Sequence, residues 1–336
     1  MEWWQDLTLI WTGIVAFAII MYVLMDGFDL GLGILFPFAG RDVDRDVMMN
    51  TVAPVWDFNE TWLILGGAGL FAAFPLAYAV ILPALYLPLT LMLIALIFRG
   101  VAFEFRFKAK SSRYVWDRSF HLGSLVATVV QGMALGAFIQ GFTVENRAYA
   151  GGNFDWFSVF SLLTGAALVA GYALLGCTWL IWRTEGSLQE WAYKLSKPLF
   201  LAVIGFIALV SIWTPLANQT IADRWFSWPN ILYLSPVPIL TAALALLYWR
   251  AINKRYEVQP FALSMGLFIL SFAGLAVSLW PNVIPPNISI WDAASPPETQ
   301  EFLLVGMAFL IPTIVVYTIY SYYVFRGKIG EDVGYH

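Results

Sequence analysis

Nine apolar stretches, most of them at or above the roughly 20 residues that an α-helix needs to cross the hydrocarbon of a bilayer, fill most of this 336-residue chain. They run approximately over 7–38, 51–74, 77–98, 119–141, 158–182, 199–217, 231–250, 261–281 and 302–325. The first is interrupted by Asp26 and Asp29, and the second and third are separated only by Phe74, Pro75 and Leu76. Composition points the same way: 12% of residues are charged, against about a quarter in soluble domains. Mean hydropathy is +0.73. A water-soluble globular fold is excluded, and so is intrinsic disorder, which needs low hydrophobicity and high net charge. The fold class expected is an all-α integral membrane protein, with residues 1–336 forming one membrane domain.

Basic residues orient the spans, because cytoplasmic loops carry an excess of Lys and Arg. With the N terminus outside, one face of the membrane holds all but two of the 18 basic residues, and only Arg147 and Arg224 lie opposite. Merging the second and third spans scatters this bias. Nine helices, N terminus periplasmic and C terminus cytoplasmic, is therefore the expected topology. The acidic start Met1–Asp6 lacks a basic n-region and a small-residue cleavage site, so the first span reads as a retained anchor and not as a signal peptide. A net charge of −4 offers no basic face for nucleic acid.

Close helix contacts in lipid depend on small residues. Gly27 with Gly31, and Gly132 with Gly136, have the four-residue spacing of such contacts, though glycine is common enough here for chance to give the same pairs. Trp3, Trp4, Trp225 and Trp228, near span ends, read as interfacial anchors.

The informative anomaly is a set of acids where lipid would reject them. Asp26 and Asp29 share a face of the first span, and Asp57 and Glu60 share a face of the second, because residues three apart on a helix are neighbours. An ionised Asp at a helix centre costs about 2.5–3.5 kcal/mol on insertion scales. By the topology above, both pairs lie in the cytoplasmic half of the bilayer, and Glu104, just beyond Arg99, lies at the same surface. A line of carboxyl groups leading inward can bind and release protons in turn. The alternative is purely structural: the acids pair with Arg41, Arg45 or Arg99, or accept hydrogen bonds from Asn50, Asn59 and Thr61. Cation coordination by these oxygens matches no calcium-loop spacing.

Redox chemistry within the chain is poorly provided for. Two histidines, His121 and His336, and one cysteine, Cys177, leave almost no imidazole or thiolate ligands for a metal. His121, near the cytoplasmic end of a span, reads as bonded to backbone or water, and Cys177 as a small buried hydrophobe. No metal site and no catalytic residue are expected in this chain.

Taken together, Asp26-Gly27-Phe28-Asp29-Leu30-Gly31, Gly40-Arg41, the block Ala53 to Leu63 (APVWDFNETWL), Phe98-Arg99, Phe103 to Arg106 (FEFR) and Trp291 to Ser295 (WDAAS) resemble subunit II of the bd-type quinol oxidases of bacterial respiratory chains. The resemblance runs over nearly the whole chain. It implies a protein of the bacterial inner membrane whose partner, subunit I, holds haem b, haem d and the quinol site, which fits the scarcity of histidine. Subunit II stabilises that partner and supplies cytoplasmic protons, while the complex oxidises quinol and reduces oxygen to water. Carried over by motif, Asp29, Asp57 and Glu104 resemble the proton-path positions, with Asp26 and Glu60 beside them. Trp62 resembles a wall of a gas or quinone route, although an aromatic inside a helix is more often packing. A quinone bound in this subunit, small single-helix partner subunits and surrounding lipid are further expectations of the resemblance.

Two positions depart from the family pattern. Val55 stands where some members have histidine before the Trp-Asp pair, and Phe58 stands where glycine is frequent. The short outer loops are similar to the cyanide-insensitive subgroup. Asp292 reads as a helix cap or a contact with subunit I. The competing functional readings are an independent proton- or ion-coupled transporter, which would often show inverted repeats that the sequence lacks, and a purely structural membrane partner.

Overall fold

The computed structural model describes residues 3–330, with side chains from Gln5 onward. The anchoring read for Trp3 and Trp4, and His336, lie outside the described side chains. Fourteen α-helices are present among the described residues: α1 (Trp3–Leu35), α2 (Asp42–Asn50), α3 (Trp56–Ala73), α4 (Pro75–Ala84), α5 (Tyr86–Arg106), α6 (Arg113–Gln140), α7 (Val159–Arg183), α8 (Gly186–Ala217), α9 (Gln219–Phe226), α10 (Asn230–Leu234), α11 (Pro236–Asn253), α12 (Gln259–Leu279), α13 (Ile290–Ala293) and α14 (Pro297–Val324). A 3-10 turn, Phe36–Phe38, extends α1. Two small antiparallel hairpins, β1 (Val144–Glu145) with β2 (Ala148–Tyr149) and β3 (Asn282–Ile284) with β4 (Ile288–Ser289), occupy loops.

Eight of the helices are long and apolar enough to cross a membrane. The eighteen-residue α3, which carries Asp57 and Glu60, is outside that group and lies against α1 and α14.

The helices differ from the apolar stretches in their bounds, for local reasons. The stretches 51–74 and 77–98 become a turn at 51–55 followed by α3, α4 and α5. The first break falls at Phe74, because a residue before proline is pushed out of the helical region. The second falls at Leu85, between Pro83 and Pro88, whose missing N–H groups interrupt the ladder. The short α4 packs on β2, β3 and α13, at the bundle end formed by the loops. The following helix therefore starts at Tyr86 and runs on to Arg106, so Arg99 and Glu104 lie within a helix and not in a loop. Similarly, α6 and α8 begin several residues before their apolar stretches.

The centre of the bundle is α1 against α6 and α7, and glycine sets how close they come. A Cβ on Gly31 would collide with the Tyr172 carbonyl, and one on Gly27 would lie 2.8 Å from Tyr172 Cε1. From the other side, a Cβ on Gly176 would be 2.6 Å from the carbonyl carbon of Gly31. Gly132 and Gly136 meet α7 in the same way, 2.6 Å from Thr164 O and from Ser161 Cα respectively. Gly31, Gly132 and Gly136 thus sit at backbone-to-backbone approaches, in the manner of small-residue packing in membranes, while Gly27 makes room for the Tyr172 ring. By contrast α14 buries only Gln300, Thr318 and Ser321.

Gly31→Ala forces α1 from α7 and is expected to destabilise the assembled protein by roughly 1–3 kcal/mol or to prevent assembly. Gly13→Ala, on the same helix with open space around it, is expected to keep or raise stability by up to about 1 kcal/mol. Thermal unfolding of the two variants beside the parent protein checks this.

Candidate functional site

Helices α1, α3 and α5 bring one guanidinium to three carboxyl groups inside the bundle. Arg99 Nη1 donates to Asp26 Oδ1 at 2.5 Å, and its Nη2 donates to Glu60 Oε1. Arg99, Asp26 and Asp29 are fully buried, while the Glu60 side chain keeps 25% of its surface exposed. Asn59, beside Glu60, donates from Nδ2 to Asp29 Oδ2 at 2.8 Å and to the Met25 carbonyl at 3.2 Å. The helical repeat explains the grouping. On α1 the acids turn toward α3 and α5, because the glycines beside them occupy the face against α7.

Hydroxyls and an amide from α1, α6, α7 and α14 lie beside these groups. Tyr322 of α14 donates to Asn59 Oδ1 at 2.9 Å. Gln131 of α6 donates to the Tyr22 hydroxyl and accepts from Tyr172 at 3.1 Å. Asp26 Oδ2, Asp29 Oδ1 and Arg99 Nε have no protein partner. One guanidinium faces three carboxyl groups, two of which it bonds directly. The cluster can hold protons and, with small rotations, pass them between neighbouring oxygens.

Of the residues singled out by sequence, Asp26, Asp29 and Glu60 come together here. Asp57, one turn before Glu60, is exposed on α3. Glu104 is exposed near the end of α5, where Lys108 Nζ lies 3.3 Å from its Oε2. Trp62 is fully buried, edge-on to Phe17 with ring centroids 5.5 Å apart, and is outside the ion cluster. Of the three arginines considered as partners, Arg99 reaches the acids. Arg41 holds Asp44 and Ser187, and Arg45 holds Asp42 and lies 3.7 Å from Asp117. A separate cluster centres on buried Arg106, which donates to Asp46 at 2.6 Å and Asp117 at 2.5 Å. Asp292 caps α13 through Ser289, whose hydroxyl and amide hydrogen bonds hold its carboxyl below the usual range.

Sequence reasoning missed Tyr22, Gln131, Tyr172 and Tyr322. Gln131, an amide in the middle of an apolar span, was the available signal. Among the described residues no group of three or more His, Cys, Asp or Glu could hold a metal ion. His121 Nδ1 lies 3.0 Å from the Gly33 carbonyl, and Cys177 Sγ donates to the Ala192 carbonyl at 3.0 Å.

Removing one partner of a buried ion pair strands the other, at a cost of about 3–5 kcal/mol. Arg99→Gln is expected to lose that much stability, and adding Asp26→Asn and Glu60→Gln to it to recover most of the loss. Unfolding of the single and triple variants checks this.

Residues 7–325 match the family Cytochrome bd terminal oxidase subunit II. The chain is 31% identical over 371 aligned residues to the cytochrome bd-I ubiquinol oxidase subunit 2 of Escherichia coli (strain K12), covering 98% of this chain and 97% of that protein. It is 30% identical over 336 residues to the cytochrome bd ubiquinol oxidase subunit 2 of Bacillus subtilis (strain 168), covering 96% of each. Its fold is similar to a chain in the structure of bd oxidase from Geobacillus thermodenitrificans, with a TM-score of 0.76 over 95% of this chain and 97% of that one at 16% identity. With the helical membrane fold and the family match agreeing over nearly its whole length, this chain belongs to the cytochrome bd terminal oxidase subunit II family.

Proposed function

We propose that the Arg99 cluster is the inner section of a route that carries cytoplasmic protons to the haem-bearing partner of this subunit. As a member of its family the chain is one subunit of a membrane-bound quinol:oxygen oxidoreductase, which is haem-dependent and requires a partner oxidase subunit. In this reading haem b and haem d reside in subunit I, quinol is oxidised at the outer side, and oxygen is reduced to water with protons from inside. The N terminus is periplasmic, the C terminus is cytoplasmic, and α3 is the ninth span.

The observation that carries the proposal is the placement of Glu60. It is partly exposed, it shares Arg99 with buried Asp26, and it follows exposed Asp57 by one turn of α3. This makes Glu60 the step between surface and interior. Protons gathered by Glu104 and Asp57 pass through Glu60 to the buried pair.

The structural alternative has one observation in its favour, the direct pairing of Arg99 with two acids. The transporter reading is not favoured, because the family is an oxidase subunit. Trp62 as part of a gas or quinone route, a quinone bound in this subunit and small single-helix partners complete the reading, but the ion cluster does not depend on them.

In proteoliposomes holding the complete oxidase, Asp57→Asn and Glu60→Gln with normal haem absorbance are expected to slow inner-side proton uptake at least roughly tenfold, below the 10²–10⁴ typical of acid–base groups. Uptake at the parent rate in both variants means that the cluster is scaffolding.

A further inference from the structure

We infer that Arg183 is a positioning residue for the proton-handling cluster: it clasps the C-terminal tail and thereby holds Tyr322 on Asn59, which orients the donor to Asp29. Arg183 is the last residue of α7 and is 5% exposed. Its Nε donates to the Gly327 carbonyl at 2.8 Å and its Nη2 to the Phe325 carbonyl at 2.6 Å. The tail answers in return, with Ile329 N donating to the Arg183 carbonyl at 2.8 Å. Gly327, at φ +117, supplies the left-handed turn that lets the chain double back, a conformation that glycine adopts freely. Lys328 fastens the same segment to Glu257 at 2.8 Å.

The anchor itself is rigid. Trp179 lies under the Arg183 guanidinium at 4.8 Å, stacks on Phe28 of α1 at 4.3 Å and donates to Thr51 at 3.1 Å. The helix that it restrains buries only three residues and is tied at its start through Gln300, which bonds Thr8, Trp11 and Ser295, so the clasp secures its other end. Tyr322 lies three residues before the first clasped carbonyl. Its hydroxyl donates to Asn59 Oδ1, which fixes the amide with Nδ2 toward Asp29. Without that donor Oδ1 is left unpaired and the amide is held only through Nδ2, by Asp29 and the Met25 carbonyl, so its aim at Asp29 loosens.

The inference rests on the proton-route reading of Asp29, and the two fail differently. In the purified complete oxidase, Arg183→Gln and Tyr322→Phe, each with normal haem absorbance, are expected to lower turnover roughly 2- to 10-fold, the range for one buried hydrogen bond. The double variant falls no further than the lower single variant, Arg183→Lys recovers part of the rate, and amide exchange over 318–330 rises in Arg183→Gln. Parent turnover in Arg183→Gln, or losses that multiply in the double variant, overturns the inference. If Arg183→Gln does not assemble, Lys328→Gln takes its place: a smaller loss that does not multiply with Tyr322→Phe supports the clasp, and a multiplying one overturns it. Parent turnover in Asp29→Asn removes the proton-route reading instead, and with it the inference, even where exchange over 318–330 still reports an intact clasp.

Discussion

A guanidinium buried among carboxyl groups is the interaction on which the rest of the structure depends. Taking Arg99 and Asp26 out of water costs several kcal/mol per ion, and neither retains any exposed surface. That cost is met only if α1, α3 and α5 are held so that both guanidinium nitrogens find oxygens, which is what the bonds to Asp26 and Glu60 show. The arrangement leaves carboxyl oxygens of Asp26 and Asp29 without protein donors.

Close approach of helices makes that geometry possible. In lipid there is no hydrophobic force between helices, so packing depends on how near the backbones come. Gly31 and Gly176 bring α1 and α7 into backbone contact, Gly27 makes room for the Tyr172 ring, and Gly123 brings α5 and α6 together, where a Cβ would lie 2.6 Å from the Ala95 carbonyl. With α1 fixed on one side by α7 and α6, its acids have one direction left, toward α3 and α5. The large apolar surfaces of α8, α11 and α14, including Leu216, Leu246, Phe302 and Phe309, face outward, as expected of helices that meet lipid or another membrane subunit.

Much of this was legible in the sequence. The apolar stretches marked the long helices, and the three-residue spacing of Asp26 with Asp29, and of Asp57 with Glu60, identified two of the helices that build the cluster. Arg99 and Asn59 were already among the considered partners. Other parts were hidden for physical reasons. Hydropathy ends a span at the first charge, whereas a helix continues wherever its backbone is satisfied, so Arg99 looked like a loop residue. Helical spacing fixes which residues share a face but not which way that face points, and Asp57 turned outward while Glu60 turned partly in. Tyr322 and Gln131 act through contacts with residues 263 and 109 positions away, a separation that no local pattern encodes.

The account stands on the claim that Glu60 changes its protonation while oxygen is being reduced, and is not a fixed counter-ion of Arg99. Infrared difference spectroscopy of the complete oxidase during turnover reads this directly. A carboxyl C=O band that rises and decays with turnover, and that is missing in Glu60→Gln, is the predicted result. A turnover spectrum whose carboxyl bands are the same in the parent protein and in Glu60→Gln contradicts the account.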